Sequence, residues 1–201
     1  MVPRAFYGGD PVVVGPMLLN KLLVRRDEGG DRVGRIVEVE AYRGEEDPAS
    51  HAYRGPTARN ASMFGPPGRL YVYFTYGMHW CANVVCGPEG QARAVLLRAG
   101  APISGLDAMR AARPAARTTD DLCSGPAKLC QALGIDRGLD GADLLDPSGP
   151  VRLMNDAVRP PDDPGVGPRV GIRVAADAPW RWWVRSDPNV SRGPRRPDAS
   201  R

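Results

Sequence analysis

The sequence predicts an α+β fold: a single domain whose mostly antiparallel, curved sheet is flanked by helices and carries a protruding β-hairpin. Aromatic and β-branched runs typical of strands recur along the chain, between turns rich in its 24 glycines and 21 prolines. Helical patterns are few and do not alternate regularly with the strands, as they would in a parallel α/β sheet. We expect one domain over residues 1–192 and a basic, disordered tail over residues 193–201.

The N-terminal segment predicts a short helix followed by two strands. Asp10 and Pro11 favour the start of a helix, although Gly15-Pro16 would disturb it. Strands are expected at residues 21–26 and 35–42, with a turn at 27–31 between them. The second strand reads RIVEVEAY, and its period-two pattern places four side chains on one face: Ile36, Glu38, Glu40 and Tyr42.

A long loop and an aromatic hairpin follow. Residues 44–68 are polar and rich in turn residues, with one helical turn expected near residues 48–51. Loops of this length inside a domain are usually functional or disordered. Residues 70–86 predict two strands folded over a turn at 76–79, and residues 92–99 predict another strand.

The second half of the chain combines two helices with short strands. A helix is expected over residues 105–113, ended by Pro114. A second helix begins at residues 124–126, which read Ser-Gly-Pro, and Gly134 supplies its C-terminal stop. Three further strands are expected, at residues 151–154, 169–174 and 180–185, with a proline-rich loop at 155–168.

Charge and cysteine content narrow the functional classes. The net charge of +4 comes almost entirely from arginine and fits a phosphate-bearing partner, although it also fits other arginine-rich proteins. Four cysteines without a C-x-x-C pair, with only two histidines, favour buried free thiols over a zinc site. The apolar stretch at residues 12–24 is interrupted by glycine, proline, asparagine and lysine, so neither a signal peptide nor a membrane span is predicted. We expect a cytoplasmic protein.

Glu40 is the first candidate for chemistry. From the pattern alone, the more common explanation for its position is a solvent-facing strand edge. The alternative is a general base in a cleft, where partial burial would raise its pKa.

The tip of the aromatic hairpin is the second candidate. Core packing explains most aromatic side chains in strands. It explains Tyr76 and Met78 poorly, because side chains at a hairpin tip point away from the core of the sheet. The alternative is a wedge that enters stacked bases.

Basic residues and a histidine give weaker signals. Lys128 follows the start of a helix, where anions are favoured, but most single lysines on helices are simply solvated. By pattern, Arg98 and Arg113 are surface or ion-pairing residues, and His51 is an ordinary loop histidine. The residues alone do not name a reaction.

Long segments of the chain resemble the alkyladenine (3-methyladenine) DNA glycosylase family. The resemblance begins at Arg35 with RIVEVEAYRGEEDPASHAYRG and continues through ARNASMFGPPGRLYVYFTYGMHWCANVVC, which ends at Cys86. It extends to AVLLRAGAP at residues 94–102, LCSGPAKLCQALGI at residues 122–135, and residues 169–191, which run from RVGI to VRSDPNVS. These distinctive segments occur in family order.

The resemblance implies a monofunctional glycosylase of base excision repair. Such an enzyme flips alkylated or deaminated purines out of duplex DNA and hydrolyses the N-glycosidic bond, leaving an abasic site. Glu40 matches the base that activates water, and Arg98 an arginine that helps to hold it. Glu38 matches a position that is not catalytic. A lyase activity is not expected, because no nucleophilic lysine is matched, and neither metal nor organic cofactor is required.

The remaining matches concern the base and the DNA. The base pocket corresponds to Tyr42, Ala49, His51, Tyr73 and Asn83. Tyr76, with Met78 beside it, matches the side chain that enters the minor groove and fills the gap left by the flipped nucleotide. Arg113 and Lys128 match phosphate contacts. The implied partner is double-stranded DNA containing damaged purines, bound by a monomer.

The sequence departs from the family pattern at three places, and two other functions stay open. The departures are His79-Trp80 after the wedge, Gly15-Pro16 in a segment that is usually helical, and the additional basic residues Arg43, Arg54 and Arg59 in the pocket loop. One alternative is a catalytically inactive protein that binds DNA lesions. The other is a hydrolase of free nucleosides, which would have no duplex gap for Tyr76 to fill.

Overall fold

A curled, antiparallel sheet of eight strands forms the centre of the computed structural model, which describes residues 1–193. Six strands follow the order β3-β4-β5-β2-β1-β6, while β8 pairs with both β2 and β7. The strands are β1 (Leu22–Asp27), β2 (Gly30–Tyr42), β3 (Leu70–Thr75), β4 (His79–Cys86), β5 (Arg93–Ser104), β6 (Val151–Met154), β7 (Gly165–Gly167) and β8 (Arg181–Trp183). The predicted α+β class with a mostly antiparallel sheet is confirmed.

Short helices flank this sheet. The α-helices are α1 (Arg4–Tyr7), α2 (Pro11–Leu18), α3 (Leu106–Ala112) and α4 (Pro126–Leu133). Single 3₁₀ turns occur at Gly44–Glu46, Ala61–Phe64 and Arg137–Leu139. The longest of these helices has eight residues, and within the part of the chain that the structure describes no helix is long and apolar enough to cross a membrane.

Helix α2 passes through Gly15-Pro16 without ending there. The Asp10 side chain accepts a hydrogen bond from the backbone N–H of Val12 (2.9 Å), which caps the helix. A Cβ at Gly15 would lie 3.2 Å from the indole ring of Trp182 on β8. Glycine is therefore used here for close packing of the helix on the sheet.

Strand β2 is the element that organises the sheet. Strand β1 pairs with its first half, β8 then occupies the same edge at Glu38–Glu40, and β5 runs along the other edge. The β2–β5 register is irregular at this point, because Glu38 lies opposite Ala99 and Val39 opposite Leu97. Arg98 therefore has no residue directly opposite it, an irregularity of the kind that often redirects a side chain towards a site.

Three local predictions were wrong. Residues 169–174 form bends rather than a strand, because the backbone N–H of Val170 bonds to the side chain of Glu40 instead of a neighbouring strand. The helical turns of the long loop lie at its two 3₁₀ segments, whereas residues 48–51 form ordinary turns. The expected loop at 155–168 contains β7, and residues 194–201 of the predicted tail lie outside the described residues.

Gly44 offers a test of how tightly the long loop is attached to the sheet. Its φ is +64°, and an added Cβ would lie 2.5 Å from the carbonyl oxygen of Gln91. Gly30 also has a positive φ (+102°), but a Cβ there meets nothing within 4 Å. We expect Gly30→Ala to lower the free energy of unfolding by about 1–2 kcal/mol, the cost of a left-handed backbone. Gly44→Ala should cost at least about 1–3 kcal/mol more, because backbone atoms must move. Urea denaturation measures both, and equal losses would contradict the tight attachment.

Candidate active site

A cavity of about 320 Å³ opens between the long loop, the β3–β4 hairpin, the start of α4 and residues 170–172. This volume is within the usual range for a small-ligand site. The cavity brings together most of the side chains that the sequence predicted for a base pocket and its surroundings: Tyr42, Ala49, His51, Tyr73, Tyr76, Asn83 and Arg98. Tyr71, Met63 and Leu96, which were not predicted, also line it.

Glu40 lies directly behind the wall of this cavity. Its carboxylate is fully buried, so the alternative of a solvent-facing strand edge is wrong. Oε1 accepts a hydrogen bond from the Val170 N–H (2.7 Å) and lies 3.2 Å from Arg98 Nη1. Oε2 accepts a hydrogen bond from the Tyr42 hydroxyl (2.9 Å). Tyr42, Arg98 and Val170 all line the cavity, so each of these three partners of the carboxylate borders it.

The environment of Glu40 makes it more basic than an ordinary glutamate. Burial raises its pKa, while Arg98, the Val170 N–H and the Tyr42 hydroxyl act in the opposite direction. Burial together with the nearby Glu40 carboxylate also raises the pKa of Tyr42, so that Tyr42 stays a neutral donor. Arg98 remains charged, because Glu40 and Glu38 raise its pKa against the effect of burial.

Planar side chains form one wall of the cavity. The ring of His51 lies edge-on to Tyr73, with centroids 4.4 Å apart, and Tyr71 stacks on Tyr73 at 5.5 Å. His51 Nδ1 is 3.2 Å from the Tyr71 hydroxyl. Burial, followed by the charge of Arg59, lowers the pKa of His51 and favours its neutral ring. The wall is therefore uncharged and suits a flat, aromatic ligand.

Asn83 is a polar residue on β4, directly opposite Tyr71 on β3. Its side chain is buried and donates a hydrogen bond to the backbone carbonyl of Tyr71 (3.2 Å). Because it lines the cavity from β4, it limits the space beside a ligand that stacks on the tyrosines.

The tip of the β3–β4 hairpin projects two large side chains into solvent. Tyr76 is 80% exposed and Met78 is 67% exposed. Tyr76 and Gly77 both have positive φ angles (+50° and +67°), which form the tight turn between Thr75 and His79. Tyr76 and His79 also line the mouth of the cavity, so the exposed tip is continuous with the pocket.

The two predicted phosphate-binding residues differ in exposure. Lys128 lies near the start of α4, where it pairs with Asp121 and contacts Ser124 Oγ at 3.1 Å. It lines a second cleft, which shares Arg98 with the cavity. Arg113 is buried and donates to the carbonyls of Asp121 and Leu122, so it holds the loop that precedes α4. A phosphate contact stays a prediction for both residues.

A buried ion pair that the sequence did not predict ties the pocket loop to the segment carrying Val170. Arg169 Nη2 lies 2.9 Å from Asp47 Oδ1, and both side chains are fully buried. The Arg169 guanidinium also donates to the carbonyl of Ala41 (3.0 Å) and lies 4.6 Å above the ring of Tyr42. Asp47 in turn accepts a hydrogen bond from the N–H of Ala49, at the rim of the cavity. One pair thus positions Tyr42, Val170 and the rim.

The only local signal for this pair is on the aspartate side. Asp47 occupies a turn-rich loop in which its side chain can accept a hydrogen bond from the residue two positions later. Nothing in the sequence around Arg169 indicates a partner 122 residues away.

Comparisons with known proteins agree on one family. A family model described as methylpurine-DNA glycosylase matches residues 5–188. A relative from Burkholderia cenocepacia is 55% identical over 191 residues, which cover 95% of this chain and 91% of the relative. One from Streptomyces avermitilis is 51% identical, with 94% and 89% covered, and one from Carboxydothermus hydrogenoformans is 46% identical, with 96% and 99% covered. All three carry the provisional name 3-methyladenine DNA glycosylase.

Removing one member of the buried ion pair should be costly. Asp47→Ala leaves the Arg169 guanidinium buried without its counter-ion, which we expect to lower the free energy of unfolding by about 3–5 kcal/mol. Asp163→Ala is the matched control, because its pair with Arg185 is exposed (84% and 56% for the two side chains). Exposed pairs contribute at most about 1 kcal/mol. Similar losses in the two variants, measured by urea denaturation, would argue against a structural role for the buried pair.

Proposed function

We propose a mechanism from the premise that this chain belongs to the methylpurine-DNA glycosylase family. The protein is a DNA glycosylase of base excision repair, a hydrolase that acts on N-glycosidic bonds in DNA. In our proposal its substrates are alkylated or deaminated purines in duplex DNA, and its product is an abasic site. The observation that carries the mechanism is a fully buried carboxylate, Glu40, bonded to two residues that line an aromatic cavity.

The damaged base leaves the helix and enters the cavity. An enzyme that acts on a base inside a duplex must take it out of the stack, which costs about a few kcal/mol and least for damaged bases. Tyr42, His51 and Tyr73 sandwich the flipped base, and a purine that is alkylated at N3 or N7 gains from stacking on electron-rich rings because it is positively charged. Ala49 and the backbone of His51 form the polar rim, while Asn83 crowds the amino group of undamaged guanine.

Glu40 activates the water that breaks the glycosidic bond. Its Oε2 holds one hydrogen bond, from Tyr42, and a carboxylate oxygen can accept a second. A water bound there is deprotonated by Glu40 as its oxygen attacks the anomeric carbon. The C–N bond breaks and its electron pair leaves with the purine, while Glu40 returns the proton to solvent. Arg98 holds the water and the carboxylate in position.

For purines alkylated at N3 or N7, which are cationic, a single carboxylate is sufficient in this mechanism. Ordinary glycosidases use a second one to protonate the leaving group. A purine that already carries a positive charge leaves as a neutral base, so that proton is not needed. A neutral, deaminated purine must in addition take a proton from water as it leaves.

The exposed hairpin tip stabilises the DNA after flipping. Tyr76 enters from the minor groove and fills the vacated space, with Met78 beside it, so that lost stacking is partly replaced. Lys128 and Arg113 contribute to phosphate contacts, with Lys128 the more accessible of the two. A monomer can make all of these contacts.

Replacing the proposed base tests the chemistry. We expect Glu40→Gln to slow base release under single-turnover conditions by about 10²- to 10⁴-fold, the usual contribution of a general base, while changing the affinity for lesion DNA only a few-fold. The substrates are duplex oligonucleotides containing 3-methyladenine, 7-methylguanine, ethenoadenine or hypoxanthine, treated with alkali to reveal abasic sites. Glu28→Gln, at an exposed carboxylate in the β1–β2 turn, is the control. Full activity of Glu40→Gln would remove Glu40 as the base, and an inactive wild type that still binds lesions would indicate the non-catalytic alternative.

Shortening the hairpin tip tests the wedge. Tyr76→Ser removes the side chain that fills the gap, so we expect it to weaken binding to lesion-containing duplex by about 5- to 150-fold, corresponding to about 1–3 kcal/mol for a lost stacking contact. Binding to the same lesion in single-stranded DNA should change much less, because there is no gap to fill. Ile103→Ser, which also removes an exposed apolar side chain but from the far end of β5, controls for surface effects. Equal losses on duplex and single strands would contradict the wedge.

A further inference from the structure

A second buried carboxylate, Glu38, lies two residues before Glu40 and takes no part in the mechanism above. It is fully buried, and both of its oxygens are bonded within the protein. Oε1 accepts hydrogen bonds from Arg98 Nε (3.0 Å) and Ser191 Oγ (2.9 Å), and lies 2.9 Å from Arg181 Nε. Oε2 accepts a hydrogen bond from the Ser191 N–H (2.8 Å). With these partners Glu38 is tied to the protein and is not placed to activate a water.

The guanidinium of Arg98 is divided between the two carboxylates. Its Nε is bonded to Glu38, its Nη2 donates to Ser191 Oγ (3.1 Å), and Nη1 lies 3.2 Å from Glu40 Oε1. Arg98 therefore approaches Glu40 most closely through Nη1, at the oxygen that already accepts the N–H of Val170. The other oxygen, Oε2, accepts one hydrogen bond, from the Tyr42 hydroxyl, and a carboxylate oxygen can accept a second.

Without Glu38, Arg98 could form a different and stronger ion pair with Glu40. Arginine and carboxylate groups favour a bidentate pair, in which two N–H groups bond to both oxygens. An Arg98 side chain released from Glu38 could turn towards Glu40 in this way. It would then occupy Oε2, where the water has to bind, and would hold the carboxylate in its ionised form more firmly.

We propose that Glu38 is a positioning residue, which anchors Arg98 so that Arg98 pairs with only one oxygen of Glu40 and leaves the other for the attacking water. The inference rests on the proposed function of Glu40 as the base. It divides two buried carboxylates between two roles: Glu38 fixes the arginine and Glu40 reacts.

The proposal can be tested through the dependence of the reaction rate on pH, because that dependence reports the pKa of Glu40. The charged and titratable groups around Glu40 are Tyr42 and Glu38 on its own strand, Arg98 on β5, Cys81 on β4, Arg181 on β8 against Glu38, and Arg169 against Tyr42. Glu38 raises the pKa of Glu40 and Arg98 lowers it. Base release needs ionised Glu40, so the rate falls as the pH drops through this pKa.

Removing Glu38 therefore lowers the pKa of Glu40 in two ways, by losing a negative neighbour and by releasing Arg98. Glu38→Gln should slow single-turnover base release at neutral pH by about 100-fold, the effect of a small misplacement of the reacting groups, and should move the acid limb of the profile to lower pH. Arg98→Met should also slow the reaction but move the acid limb to higher pH. A rate loss in Glu38→Gln without a shift of the limb would mean a merely structural role and would overturn the proposal, as would an unchanged rate.

A charge-balanced variant covers the case in which Glu38→Gln does not fold. Glu38→Gln leaves two guanidinium groups, the buried Arg98 and the partly buried Arg181, with one carboxylate. The double variant Glu38→Gln/Arg181→Met removes one charge of each sign, and it should move the acid limb in the same direction as Glu38→Gln alone. Arg181→Met by itself keeps the Glu38–Arg98 contact and should leave the limb near that of the wild type. The proposal would be overturned if the acid limb moved by the same amount in Arg181→Met as in Glu38→Gln/Arg181→Met.

The same set of rates separates this inference from the proposed function. If Glu40→Gln is inactive but Glu38→Gln has the rate and pH profile of the wild type, only the role of Glu38 is overturned. A fully active Glu40→Gln overturns the proposed base, and with it the role of Glu38.

Discussion

As the proposed general base, Glu40 must be an anion when it reacts, although the fold buries it fully. An isolated buried carboxylate would take up a proton, since burial penalises the charged form. Here three donors hold the charge: the Val170 N–H, the Tyr42 hydroxyl and Arg98. Tyr42 lies two residues along the same strand, whereas Arg98 and Val170 come from distant segments, so the site exists only when β2, β5 and the 169–174 segment are in their folded positions. The balance of these forces leaves a carboxylate that is more basic than usual but still paired.

The sheet supplies this environment because β2 is paired along both edges. At Glu38–Glu40 it has β8 on one side and β5 on the other, and the register irregularity places Arg98 between the two carboxylates. The Asp47–Arg169 pair then fastens the pocket loop to the segment that donates the Val170 N–H. The buried part of the site is therefore built by long-range contacts, whereas the proposed wedge lies on an exposed turn.

The difference between these two parts explains what could be predicted from the sequence. The hairpin and its protruding Tyr76 follow from local alternation and turn residues, and both were recognised. Glu40 was recognised as unusual, but its burial depends on partners from distant segments that no local pattern reports. Residues 169–174 have the composition of a strand, yet they form bends, because tertiary bonding of Arg169 and Val170 outweighs β propensity.

The number of buried charges indicates that this site is not arranged for stability alone. Glu38, Glu40, Arg98, Asp47 and Arg169 are buried around one cavity, and burying such charges costs several kcal/mol per ion before pairing. Apolar side chains of similar volume would often stabilise a fold equally well or better. A chain under selection for stability alone would therefore have little use for this arrangement. The arrangement makes physical sense for the proposed mechanism, in which a basic carboxylate and a fixed guanidinium are needed and a preorganised charge acts on the reacting atoms without further rearrangement.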